Sequence, residues 1–379
     1  MDPPVGDGPA LADVLPAVAA SLGVPAGDGM PEPRLTLPPT RRAVVVLVDG
    51  LGHDLLVRRA GHAPFLRSRL ALTQRVPAGF PSTTATSMGS FGTGLVAGAH
   101  GLVGYEVIVP GEDRLLNELS WEDGPDPLRW QPHETVFERV ARAGLEVVRV
   151  GPAYFDGSGL TTAALRGGRF AAAGTLTQRV DATLAAVRSA PRGLVHLYWG
   201  ELDKVGHVFG CDSLQWGDEL ETIDRELARL AASLPDDCSL TITADHGMVD
   251  VPHEVRVDVA DEAALADGVR HVTGEARAPQ VYVEPGALAD VHAAWSAVLG
   301  DRALVRTRED AVAAGWFGTV LPENLPRIGD VVVATRGRNA VVDSRRARPE
   351  LLALIGLHGS LSDDEVAVPV VHVPAASVA

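Results

Sequence analysis

The chain has 379 residues, 46% of them hydrophobic, a formal net charge of −16 and an isoelectric point near 5.1. That length and apolar content exclude global disorder and suit one large α/β domain carrying an insertion, or two domains. The acidic balance argues against a protein that tracks nucleic acid or an anionic membrane by bulk electrostatics.

The N-terminus, Met1-Asp2-Pro3-Pro4 onward, is acidic and proline-rich where a secretory signal has a basic start and an apolar core. No uncharged apolar run is long enough to span a bilayer, so a cytoplasmic protein without a membrane span is expected. Cys211 and Cys238 form neither a disulfide framework nor a zinc-ligand spacing, and buried thiols are expected of both.

Residues 1–40 form a lead-in with one short helix around Ala10 to Leu22, followed by a proline-rich stretch. Ala43 to Val48 is a continuous β-branched run of the kind buried on both faces of a parallel sheet, and it ends in Asp49-Gly50. Leu55 to Leu72 has the pattern of a helix, and Leu72 to Pro77 that of a short strand. The hydroxyl-rich Pro81-Ser82-Thr83-Thr84 then leads into a helix, where the chain offers cap oxygens and free N–H groups favour negative charge.

His100 to Gln131 is irregular, with Trp121 and Trp130 among acidic residues, and reads as surface loops with a hairpin near Val107 to Leu115. Helix and strand then alternate: helices at 134–143, 175–189 and 214–234, strands at 145–150, 193–199 and 239–243. The alternation predicts a doubly wound, mostly parallel sheet flanked by helices, with a catalytic core over 41–254 and 341–379. Residues 255–340 change rhythm and are expected to form a small α+β cap insertion, with strands near 280–284 and 303–306 and helices near 288–299 and 309–314.

Four loops carry the candidate ligands: Asp49, the pair Asp203 and His207, the pair Asp245 and His246, and His358. Three of the four follow predicted strands, at the carboxyl edge where open α/β sheets bind ligands. Asp203 and His207 are one helical turn apart, which puts carboxylate and imidazole on one face. Gly247 frees the backbone for Asp245 and His246 to turn inward together. With the Thr84 oxygen, these donors suffice for two metal ions, and mixed carboxylate and imidazole suits zinc, with manganese or iron as alternatives.

Val48-Asp49-Gly50, Pro81-Ser82-Thr83-Thr84, Thr93-Gly94-Leu95, His100-Gly101, Asp203 with His207, Asp245-His246-Gly247 and His358-Gly359 together resemble the motif series of the nucleotide pyrophosphatase/phosphodiesterase branch of the alkaline phosphatase superfamily. The resemblance runs over about residues 43 to 370 and implies an alkaline-phosphatase-like fold. It implies two zinc ions, one held by Asp49, Asp245, His246 and Thr84, the other by Asp203, His207 and His358. It makes Thr84 the nucleophile of a hydrolase that cleaves phosphodiester or pyrophosphate bonds of a small-molecule substrate through a phosphoryl-threonine intermediate; sequence alone leaves Thr83 as the competing choice.

Two positions depart from the family pattern. The aromatic that follows the nucleophile in nucleotide-preferring members is Ala85 here, and the phosphate-binding Asn after the His-Gly motif is Tyr105. Tyr105 is therefore a candidate substrate-binding residue, and Phe155, with Tyr154 and Trp199 at or near strand ends, a candidate pocket wall. Phosphomonoester or phosphonate hydrolysis on the same site, and a non-catalytic metal-binding module of the same fold, are the alternatives.

Overall fold

The computed structural model describes residues 6, 8–27 and 31–377; most of the acidic N-terminal stretch read above lies outside them. A seven-stranded sheet forms the centre, in the spatial order Gln74–Pro77, Ala367–Val373, Cys238–Thr243, Arg42–Val48, Gly193–Trp199, Glu146–Gly151, Arg169–Ala172. The last five strands are mutually parallel, and Ala367–Val373 runs antiparallel to both its neighbours. The strand Arg42–Val48 is central because its Ala-Val-Val-Val-Leu-Val run has no polar face to show to water, and all six of those residues are buried.

Helices cover both faces. His196 meets Phe91 of the helix Thr84–Thr93 and Phe137 of the helix Val136–Arg142, with ring centroids 5.3 and 5.5 Å away. Trp199, of opposite parity on the same strand, lies under Arg179 of the helix Leu176–Ser189, at 4.5 Å. The sheet is thus doubly wound, an α/β fold with helices on both faces.

Two expectations fail. The stretch from Leu55 to Leu72 is not one helix but short turns at His53–Arg58, Ala60–His62, Pro64–Arg67 and Leu70–Leu72. Pro64 has no N–H to continue a helix, and Asp224 of the long helix Leu214–Ser233 takes the N–H groups of Phe65 and Leu66 at 2.9 and 2.8 Å. Trp121 and Trp130 are not in surface loops; both are buried, and the indole of Trp130 donates to Glu118 at 2.7 Å. The hairpin is present as Glu106–Ile108 paired with Leu115–Asn117.

The insertion builds a four-stranded antiparallel sheet in the order Val269–Glu275, Ala278–Val283, Val331–Thr335, Ala303–Thr307, backed by the helix Leu288–Leu299 around a separate core of Val281, Val291, Trp295 and Val333. A fully buried bidentate pair, Arg277 to Glu365 at 2.7 Å on both arms, ties this sheet to the core just after His358-Gly359-Ser360. Cys211 and Cys238 are buried free thiols. No described helix is long and apolar enough to cross a membrane.

Candidate metal centre

Asp49 leaves the central strand at its carboxyl end, Asp245 and His246 leave the neighbouring strand Cys238–Thr243, and Asp203 and His207 stand on the helix Glu201–Phe209 that follows Gly193–Trp199. Gly50, at φ +75, turns the chain where a Cβ would come 3.1 Å from the Asp203 Cα, so the absence of a side chain sets how closely these loops approach. His358 arrives from the other side, locked to the Pro81–Thr84 loop: Ser82 N donates to Gly359 O at 3.0 Å and Ser82 Oγ to Ser360 O at 2.8 Å.

These loops gather two groups with metal-ligand spacing, Asp49 with Asp245 and His246, and Asp203 with His207 and His358. Within the first, His246 Nε2 lies 3.4 Å from Asp49 Oδ1 and 3.5 Å from Asp245 Oδ2. Within the second, His207 Nε2 lies 3.3 Å from Asp203 Oδ2, and His358 Nε2 3.9 Å from Asp203 Oδ1. The groups are contiguous, with the rings of His246 and His358 stacked at 3.8 Å. Thr84 Oγ1, on the first residue of its helix, sits 3.2 Å from His246 Nε2.

Three observations test whether cations fit here. Asp49 Oδ1, Asp203 Oδ1 and Asp245 Oδ2 are buried oxygens with no hydrogen-bond partner among the described residues, although buried acceptors are almost always satisfied. Each imidazole anchors Nδ1 on a backbone carbonyl, His207 on Gly356 at 2.7 Å, His358 on Ser82 at 2.9 Å and His246 on Gly247 at 3.1 Å, which leaves every Nε2 turned to the centre. Burial, then the charges of Asp245 and Asp203, raise Asp49 well above the usual carboxylate range, and burial also raises Asp245. Acids crowded in this way suit a divalent cation at each group, while the donor set leaves its identity open.

The second group has the opposite electrostatics. Burial acts to raise Asp203, but His207 outweighs it and holds the carboxyl low; burial likewise opposes charge on His207, which Asp203 nevertheless raises to about 9. His358, fully enclosed, is pushed well below the ordinary histidine value by burial and then by His246.

Thr83 does not cap the helix it precedes: its hydroxyl donates to Glu275 Oε1 of the insertion at 2.6 Å. Of the two threonines, only Thr84 is within hydrogen-bonding distance of His246. A cavity of about 720 Å³ opens from both groups, and Thr83, Thr84, Tyr105, Tyr154 and Phe155 line it. Trp199 does not belong to the wall, since it faces the opposite side of the sheet and donates to Glu219 at 2.7 Å. Tyr198, its neighbour, is on the cavity side and donates to Asp49 Oδ2. Strict alternation along Gly193–Trp199 could have chosen Tyr198 over Trp199, but Glu275 and Asn117 enter from an insertion and a hairpin that no local pattern connects to the site.

Comparison with known proteins follows the same outline. A pyrophosphatase/phosphodiesterase of Schizosaccharomyces pombe is 26% identical over 229 residues, 54% of this chain and 44% of that protein. Ectonucleotide pyrophosphatase/phosphodiesterase family member 7 of Rattus norvegicus is 36% identical over 77 residues, 19% of this chain and 18% of that one, so the matched stretches span less than half the length of these curated relatives. Among solved structures, murine ectonucleotide pyrophosphatase/phosphodiesterase 5 in complex with AMP superposes with a TM-score of 0.71 at 18% identity, covering 87% of each chain. Phosphonoacetate hydrolase from Sinorhizobium meliloti 1021 with phosphonoformate gives 0.68 at 20% identity, covering 88% of this chain and 90% of that one. At such identities the superpositions speak for the fold. The model of type I phosphodiesterase/nucleotide pyrophosphatase, however, matches residues 43–361, which takes in both ligand groups, the insertion and the central sheet except its antiparallel strand Ala367–Val373, and the chain belongs to that family.

Proposed function

We propose that the protein hydrolyses phosphodiester or pyrophosphate bonds of a small molecule, with Thr84 as nucleophile and a pair of divalent ions, zinc by the family resemblance, in the two ligand groups. The observation that carries this reading is the meeting of both groups, with their orphaned carboxylate oxygens, around one hydroxyl. Ions bound there supply positive charge that lowers the pKa of the hydroxyl and offsets charge on the phosphoryl and leaving oxygens.

The chain's own residues do the rest. Asp49, Asp245 and His246 would hold the ion nearer Thr84, and Asp203, His207 and His358 the second, so that their charge would fall on either side of an in-line displacement. Thr84 Oγ1 stands at the N-terminus of a ten-residue helix, where free N–H groups favour the alkoxide over the hydroxyl. Attack forms the Thr84 phosphoester and expels the alcohol; water then enters from the Asp203 side and releases phosphate monoester and Thr84.

Glu275 favours a diester over a monoester. Its carboxyl lines the cavity beside Thr83, so a dianionic monoester meets more like-charge repulsion there than a monoanionic diester. Tyr105 also lines the cavity, where the family pattern has Asn, and serves as a substrate hydrogen-bonding group. The test is turnover of bis(p-nitrophenyl) phosphate against p-nitrophenyl phosphate by zinc-loaded protein, with Thr84→Ala and Thr83→Ala alongside. Faster diester turnover lost only in Thr84→Ala supports the reading. Faster monoester turnover makes the protein a phosphatase, and no turnover of either by a protein holding two ions favours a silent metal-binding module.

A further inference from the structure

The cavity holds far more than a phosphoryl group, and one lobe of it ends in a charge that the chemistry above does not use. His196 and Tyr198 alternate on their strand and so share a face, and Arg149 is the register partner of His196 on the adjacent strand. All three line the cavity. From Tyr198, whose hydroxyl is on Asp49, the row runs back along the sheet for two residues, roughly 7 Å, to the Arg149 and His196 pair.

A side chain at the next same-face position of Arg149's strand would crowd the rings that wall this path. Two residues beyond Arg149, toward the ligand groups, stands Gly151, where a Cβ would lie 3.3 Å from Phe170 Cζ and 3.8 Å from Phe155 Cδ2. Met88 lies one turn along from Thr84, and with Leu160, Leu165, Phe155 and Phe170 it gives the lobe apolar walls.

Arg149 is only 9% exposed, yet its Nη1 has no hydrogen-bond partner. Its Nε donates to Gly167 O at 2.9 Å, and its guanidinium is 5.6 Å from the Phe170 ring. Among the described residues no carboxylate pairs with it; Asp156, the acid whose charge it feels, is exposed on the following loop. A buried cation left in that state is costly, and an anion brought by a ligand removes the cost. The neighbouring His196, pushed down to about 3 by burial, adds no second positive charge, so one guanidinium matches one monoanion. A carboxylate fits it in charge and in planar, bidentate geometry, whereas a phosphate dianion brings one charge too many.

We propose that this lobe takes the organic arm of a phosphodiester whose far end is a carboxylate, with the apolar walls around the arm and Arg149 on the carboxylate. The assignment rests on the phosphodiester reading above and narrows it to a substrate class.

The test compares two p-nitrophenyl phosphodiesters, one of 3-(4-hydroxyphenyl)propanoate and one of the corresponding amide, by kcat/KM with wild type and Arg149→Met. The acid is expected to be favoured by about tenfold or more in wild type, with the preference falling to near one in the variant. A wild-type ratio of one or less overturns the proposal, as does a preference that survives Arg149→Met. If the variant does not fold, Gly151→Val, which fills the path without touching the cation, replaces it under the same criterion. If neither diester is turned over, calorimetric binding of the same pair decides: acid above amide in wild type alone keeps the lobe assignment while the catalytic reading falls, and equal binding removes the lobe assignment.

Discussion

Thr83 and Thr84 are adjacent and chemically alike, and their surroundings separate them. Thr84 Oγ1 faces His246, whereas the Thr83 hydroxyl is committed to Glu275. Thr84→Ala is therefore expected to lower diester turnover by at least about a thousandfold, and Thr83→Ala by far less, in steady-state kinetics. Asp203→Asn should lower bound metal from about two ions per chain toward one, read by elemental analysis after dialysis, because Asp203 bridges His207 and His358. Tyr198→Phe removes the hydrogen bond on Asp49 Oδ2 and should weaken metal affinity by about 10- to 100-fold, measured by chelator competition. The gathering of Asp49, Asp203, His207, Asp245 and His246 was legible in the sequence because their types and their placement after predicted strands are local signals, and His358 joined them through the motif series. Glu275 and Arg149 were not, because each stands at the cavity through the element it meets, whereas Tyr198 was within reach of strand alternation.

At the scale of elements, strands were most legible where both faces are buried. Gly193–Trp199 has the predicted bounds, and Arg42–Val48 differs by a single residue, since a continuous apolar run admits few other readings. The helix expected over Leu55 to Leu72 failed because Asp224, remote in sequence, takes two of its N–H groups. The segment after His100 was misread for a related reason: Glu118 gathers it by accepting from Val103 N, Gly104 N and Trp130 Nε1, and burial raises this carboxyl to about 7. A carboxyl raised in the folded state stabilises the fold below its unfolded pKa and loses that contribution as pH rises through the folded value. The stability of wild type relative to Glu118→Gln should accordingly fall between about pH 4.5 and 7, by up to about 3 kcal/mol, in urea titrations at several pH values.

For the molecule as a whole, the sheet and its two helical layers follow from alternating patterns, while the seating of the four-stranded sheet on the core follows from single contacts. Arg277 and Glu365, both fully buried, make the strongest of these, and Glu365 also accepts from Ser360 N and Ser362 Oγ. Glu365→Gln leaves Arg277 buried without its counter-ion and should destabilise the protein by about 3–5 kcal/mol in denaturant titrations. The same pair bears on how molecules reach the cavity. Lifting the insertion as a lid would separate two charges that have no water to receive them until the seam is wide open, so this part is expected to stay seated as a wall. Molecules are then expected to reach the cavity through a standing doorway, chosen by its width and charge.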